Sequence, residues 1–253
     1  MALQSTSPDD LYRKKIDDAE YGEAVMLARH YGLDCDPVYE RQWRLSDHST
    51  NAVADYLSKI SDVSVVVAEC SAVIPETAEA MEGLLKFGIR TVGDSDPASR
   101  EKFQVYLKRL AIYQEVVDAR NADSQRTPEE SRFEAAEFSR FRDVPLLDSA
   151  KTYAAATVPD VAAVSAMMHS RDAASEMAAH ALSIIASFPE YLDPSWYCHL
   201  LTAVASSERF QTFGKREELR LWFEGRAADI EERTGIAENA LKLCDIGLDL
   251  GLR

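Results

Sequence analysis

The sequence predicts an all-α protein of the α-solenoid class, built from stacked antiparallel helix pairs. Three observations carry that expectation. Apolar residues recur at i, i+3, i+4 and i+7 in segment after segment, the spacing of one helix face. Prolines fall between these segments, several of them behind a residue that can cap a helix. Only Val63–Val67 has strand-like composition, and one isolated strand has nothing to pair with, so it reads as a buried helix.

Taken in order, Ser7-Pro8-Asp9-Asp10 offers a cap, a proline and two acids at a helix start. Ala24, Leu27, Ala28 and Tyr31 share a face, Gly32 supplies a left-handed residue just past the helix end, and Leu33 makes the apolar closing contact. Asp36-Pro37 restarts the chain with Asp36 as N-cap. On the new helix Tyr39 and Trp43 share a face, and Glu40 and Arg44 are spaced for an ion pair. Two helices joined by about four residues make an αα-hairpin, the unit of helical solenoids.

The same periodicity continues. Met81, Leu84, Leu85, Ile89 and Val92 form one face; Phe103, Tyr106, Leu107, Leu110, Tyr113 and Val117 form the next. Met177, Ala181, Ile184, Ile185 and Phe188 repeat it, as do Ile236, Ala240, Leu243 and Cys244. Pro75, Pro97, Pro145 and Pro159 sit between patterns, Asp193-Pro194-Ser195 marks another start, and Thr127 with Glu130 has capping-box spacing. AVMLARHYGL (24–33), AMEGLLKFGI (80–89) and NALKLCDIGL (239–248) read as three similar helix ends closed by glycine, a weak quasi-repeat favouring stacked pairs over a bundle. The chain reads as a single domain over 1–253 with joints at 93–99 and 118–127. Its last residues, LDLGLR, end without a cap, as an excerpt of a longer protein would.

Composition narrows the function classes. With 46% hydrophobic residues the chain is not wholly disordered. Its longest apolar run is far short of the ~20 residues that span a bilayer, and MALQSTSPDD lacks the basic and apolar parts of a signal peptide. A net charge of −15 opposes binding to phosphate backbones and anionic headgroups. Cys35, Cys70, Cys198 and Cys244 are far apart with no CxxC pairing and read as reduced, partly buried cytosolic thiols.

Catalytic and cofactor motifs do not occur: there is no Walker loop, GxGxxG, GxSxG or HExxH. Asp34-Cys35-Asp36 lacks the remaining spacing of a calcium loop. Cys198-His199 and Ser46-Asp47-His48 are consecutive, and neighbouring helical side chains do not face one another. No catalytic residue, metal ligand or cofactor is therefore assigned, although a hydrolase or transferase using scattered carboxylates is a rival reading. Trp43 and Trp222 lie on apolar stripes and read as core. Arg41 and Arg44 beside Trp43 could form an interface hot spot or an ordinary solvated face.

Several stretches resemble the Sec-thirty-nine domain family, most closely its metazoan tether subunit: LYRKKIDDAEYGEA (11–24), ARHYGLDCDPVYERQWR (28–44), NAVADYLSKI (51–60) and IPETAEAMEGLLKFGI (74–89). Looser likeness continues through YLKRLAIYQEVV (106–117) and SIIASFPEYLDPSWYCHLL (183–201) to ALKLCDIGLDLGL (240–252). Two features depart from the family pattern: no stretch resembles the β-propeller that precedes the domain in metazoan members, and a long acidic insertion is reduced to Gly93–Ser99. The resemblance implies a non-enzymatic α-solenoid subunit of a multisubunit tether at the endoplasmic reticulum, peripheral to its membrane, that acts on vesicles returning from the Golgi. It also implies SNARE proteins of the endoplasmic reticulum and Zeste-white-type and Rad-interactor-type subunits as partners. A different helical-repeat adaptor or coat scaffold is the alternative. The candidate partner-binding residues are Tyr12, Arg13, Arg41 and Arg44, on exposed faces of the first helix pairs.

Overall fold

Each helix leaves its first N–H groups without an intrahelical acceptor, so a chain of short helices must find many local acceptors. This chain supplies them from side chains. The computed structural model describes residues 7–122, 132–210 and 213–252, and among them every regular element is an α-helix or a short 3-10 segment. Ser7 accepts the amide of Asp10 at 3.1 Å and starts α1 (Pro8–Asp17). Ser49 caps α4 (Thr50–Asp55), Asp62 caps α5 (Val63–Ala72), Thr77 caps α6 (Ala78–Val92) and Asp160 caps α10 (Val161–His169). The Val63–Val67 run is helical, as its isolation required, but only Val66 on it is buried and Val63 is exposed. The Thr127–Glu130 capping box lies outside the described residues.

The fold is an α-solenoid in its local logic: each helix packs chiefly on those nearest in sequence. The chain divides into two compact units, residues 1–110 with 133–136, and residues 111–132 with 137–253. In the first unit, α1 packs on α2 (Tyr21–Tyr31), α2 on α3 (Asp36–Leu45), and α6 on both α4 and α5. The expected αα-hairpin is present: Gly32, at φ 68°, closes α2, and α3 begins at Asp36. The core of this unit holds Trp43, Leu57, Met81, Leu84, Leu85 and Phe103, all fully buried.

In the second unit, α9 (Leu146–Ala154), α10 and α11 (Ala174–Ile185) pack on one another, and α12 (Cys198–Ser206) packs on α11. Helix α13 (Phe213–Thr234) lies against α14 (Ala237–Asp249). The predicted face Met177, Ala181, Ile184, Ile185 and Phe188 is buried throughout, and the Phe188 and Tyr197 rings stack at 5.0 Å. Helix α7 runs unbroken from Pro97 to Ala122, so the suggested joint at 118–127 begins as helix and its remainder lies outside the described residues.

Several local readings are corrected by packing. Tyr31 and Cys244, placed on apolar faces by spacing, are exposed. Only the first of the three glycine-bearing segments is a helix end. Gly88 lies inside α6, where a Cβ would come within 2.9 Å of Phe103 and 3.3 Å of Cys70. Gly247 lies inside α14 against the Phe223 ring, and Gly93 is the residue that ends α6. Two of the glycines thus serve close approach rather than a left-handed turn. Burial at this crossing also pushes the Cys70 thiol up to about 12, and the neighbouring Glu69 charge adds to it.

A buried polar cluster joins helices of the second unit. Arg120 on α7 donates to Asp160 at 2.8 Å and, with both terminal nitrogens, to Glu137 at 2.9 and 2.8 Å. Glu137, near the start of α8 (Ala135–Asp143), also accepts the hydroxyls of Tyr113 and Tyr153, each at 2.7 Å. Burial opposes ionisation of Glu137, but the donors from Arg120, Tyr113 and Tyr153 outweigh it and hold the carboxyl down at about 2.

Two outcomes follow. Gly88→Ala drives a methyl into Phe103, a ring with no free end to move aside, and should lower stability by about 1–3 kcal/mol in urea denaturation. Glu137 is ionised more readily folded than unfolded, so its contribution is complete above the ordinary carboxylate range and declines as pH falls from about 4.5 towards about 2. Glu137→Gln should flatten that acid limb by about 3 kcal/mol. An unchanged limb would place the acid sensitivity elsewhere.

Candidate interaction surface

The first three helices carry the candidate residues, and their local chemistry decides which can face a partner. On α1 the side chain of Tyr12 is at i+4 from Pro8 and points towards α2. The ring is buried at 7% exposure, in a core with Ala24, Ala28 and Val38. Its hydroxyl donates to the Asp34 carbonyl at 2.6 Å. Burial, with the nearby Cys35, Asp34 and Asp36 charges, pushes the phenol up to about 12. Tyr12 is therefore not part of an exposed face: it ties α1 to the loop before α3. Its neighbour Arg13, about 100° further round the helix, is exposed.

Between α2 and α3 the acids are used by the backbone. Asp34 accepts the amide of Asp36 at 2.9 Å in a local turn, and Asp36, expected as the N-cap, makes no cap bond. Cys35 is the residue at the helix boundary, and Asp36 is the first residue of α3. The buried Asp36 carboxylate instead reaches across the unit. It accepts the Ser61 amide at 2.9 and 2.8 Å and the Asp62 amide at 2.9 Å, just ahead of α5. Proximity in sequence favoured the cap; the packing of α3 beside residues 61–62 made the longer reach available. No group of His, Cys, Asp and Glu among the described residues is arranged to hold a metal ion.

Helix α3 carries Arg41, Trp43 and Arg44. Trp43 is fully buried, and its indole N–H donates to Glu69 on α5 at 3.1 Å. Glu69 also accepts from Arg44 Nε at 3.3 Å, and the predicted Glu40–Arg44 pair is present at 3.4 Å. The tryptophan therefore anchors α3 from within, with the His48 ring meeting it edge-on at 4.7 Å. Arg41 and Arg44 project from the same helix to solvent, beside the exposed Leu45. The outer surface of α3 thus presents two guanidinium groups held on a rigid, internally anchored helix.

The consecutive residues weighed for catalysis serve local structure. Ser46 donates to the Trp43 carbonyl at 2.7 Å, and Asp47 accepts the Ser49 amide at 3.0 Å. His199 reaches Ser165 at 3.2 Å rather than Cys198. In the second unit Trp222, half-buried rather than core, lines a shallow surface cavity of about 350 Å³ with Glu190, Arg226, Asp229 and Arg233. Glu190 is paired with Arg226 at 3.1 Å and with Arg233 at 2.8 Å. Charges committed to one another in this way form a structural bridge between the 186–190 segment and α13. No described helix is long and apolar enough to cross a membrane.

The family described as KNTC1 first ARM-repeats domain matches residues 16–235. The human NBAS subunit of NRZ tethering complex is 29% identical over 268 aligned positions, covering 79% of this chain and 11% of that protein. MAG2-interacting protein 2 of Arabidopsis thaliana is 25% identical over 296 aligned positions, covering 98% of this chain and 12% of its own length. The chain therefore spans about a tenth of the length of these curated relatives. No solved structure matches.

Proposed function

We propose that this chain, which belongs to the KNTC1 first ARM-repeats family, is part of a non-enzymatic subunit of a multisubunit tethering complex. The observation that carries this reading is the 29% identity to the human tethering-complex subunit across 79% of the chain. Its finer form is retrograde transport from the Golgi to the endoplasmic reticulum, peripheral association with that membrane, and contact with its SNARE proteins and with Zeste-white-type and Rad-interactor-type subunits. The sequence resemblance to the Sec-thirty-nine domain family supports that form.

The physical mechanism is scaffolding. Stacked helix pairs expose a succession of rigid helix faces, and each can hold a partner segment without any chemistry of its own. Several such contacts on one polypeptide raise the effective concentration of the bound proteins towards one another. The excess of acidic residues, 43 against 28 basic, suits partner segments with basic edges. Arg13, Arg41 and Arg44 stand out against that background as exposed cations on the first helices. An acidic partner group would be selected at Arg13 and Arg41, and at Arg44 in competition with Glu40 and Glu69.

Affinity capture from cytosol combined with solubilised endoplasmic-reticulum membrane, read by mass spectrometry, tests the reading. SNARE proteins and tether subunits should be recovered; recovery of neither would overturn it, and recovery of coat subunits would select the adaptor alternative. Arg41→Glu with Arg44→Glu should reduce partner recovery by about tenfold, the effect of losing a contact near 1.4 kcal/mol. Thermal unfolding should move by less than about 4 °C for Arg41→Glu, an exposed position, and further for Arg44→Glu, which loses pairs with Glu40 and Glu69, carboxylates only 25% and 16% exposed.

A further inference from the structure

Helix α14 (Ala237–Asp249) is apolar on two faces, and only one of them is occupied. Ala240, Leu243 and Gly247 are buried, the last against Phe223 of α13. Ala237, Leu241, Cys244 and Leu248 fall at i, i+4, i+7 and i+11, a second continuous stripe. This stripe is open: Leu241 is 64% and Leu248 53% exposed, and Ala237 and Cys244 are exposed as well. Single exposed leucines need no explanation, but a stripe about three turns long on one rigid helix has the form of a docking ridge.

The edge of the stripe says what should cover it. Glu238, Asp245 and Asp249 follow it along one side, all exposed. The lysine on that side, Lys242, is engaged by Asp193 at 2.7 Å and Glu238 at 2.9 Å. The ridge is thus apolar with an acidic margin. A second copy of this chain would bring the same margin and the same net charge of −15, and like charges set opposite one another oppose association.

We propose that the Leu241–Leu248 face of α14 docks an amphipathic helix of another polypeptide, its apolar ridge on Leu241, Cys244 and Leu248 and its lysine or arginine edge on Asp245 and Asp249. This deepens the scaffold reading above and rests on it, naming one surface and the chemistry of its partner. The apolar contact supplies affinity and the acidic margin fixes which helix is accepted and in which direction it lies.

The test is fluorescence anisotropy with a labelled Leu/Lys amphipathic peptide of about 18 residues, long enough to be helical when bound. A Leu/Glu peptide of the same pattern serves as the comparison. The unaltered chain should bind the Leu/Lys peptide saturably and the Leu/Glu peptide not at all. Leu241→Glu with Leu248→Glu should weaken binding by about tenfold or more, since each leucine covered is worth that order. Asp245→Lys with Asp249→Lys should weaken it by a similar factor, and Leu241→Gln with Leu248→Gln provides a milder pair whose circular dichroism should match the unaltered chain. Equal binding by all variants would mean general attraction to an acidic protein and would overturn the proposal. Self-association in sedimentation velocity that the leucine variants abolish would overturn it too, in favour of a second copy. If tether subunits are captured but peptide binding ignores α14, this inference alone fails; if peptide binding follows α14 but no tether subunit is captured, the proposed function alone fails.

Discussion

A charge taken out of water must be met by an opposite charge or by several hydrogen-bond donors, and the architecture of each unit turns on one such requirement. In the second unit the buried group is Arg120. Its three donors meet Glu137 and Asp160 on elements 17 and 40 residues away. Asp160 at the same time caps α10 through the Ala163 amide at 2.9 Å. One guanidinium therefore sets the positions of α7, α8 and the start of α10 together. Removing any member leaves the others buried without their partners, which is why such a cluster specifies one arrangement of helices rather than merely adding to stability.

In the first unit the buried group is the Asp36 carboxylate, and backbone N–H groups do the work. Ser61 and Asp62 donate to it from a segment 25 and 26 residues further on. The start of α3 is thereby held to the start of α5, and Trp43 and Glu69 make a second tie between the same helices. These paired links hold α3 rigidly from its inner side and leave its outer side to Arg41 and Arg44. For a scaffold this division matters, because a partner that binds a preformed helix face does not have to order it.

Small residues complete the packing where side chains would hold helices apart. Gly88 lets α6 close on Phe103 of α7, and Gly247 lets α14 lie on the Phe223 ring. Such close approaches make neighbouring helices stiff relative to one another within a unit. Polar and apolar constraints thus act at different places: buried charges fix helix starts, and glycines fix helix crossings.

The sequence by itself determined the class of fold, because helix periodicity and capping are decided within one turn of chain. Ser7 could be expected to cap from the residues after it, Thr77 and Asp160 act over the same short range although no expectation named them, and the buried face from Met177 to Phe188 followed from its spacing alone. The tertiary structure decided every role that depends on a distant neighbour. Tyr12 looked like an exposed aromatic until Asp34, 22 residues on, took its hydroxyl. Asp36 looked like a cap until residues 61–62 came alongside it, and Gly88 and Gly247 looked like helix ends until rings packed against them. Arg120 gave no local sign of burial, since a charged residue in a helix pattern is ordinarily solvated. Local rules choose the conformation of each segment, but burial is a property of what packs against it, and that is settled only when the whole chain has folded.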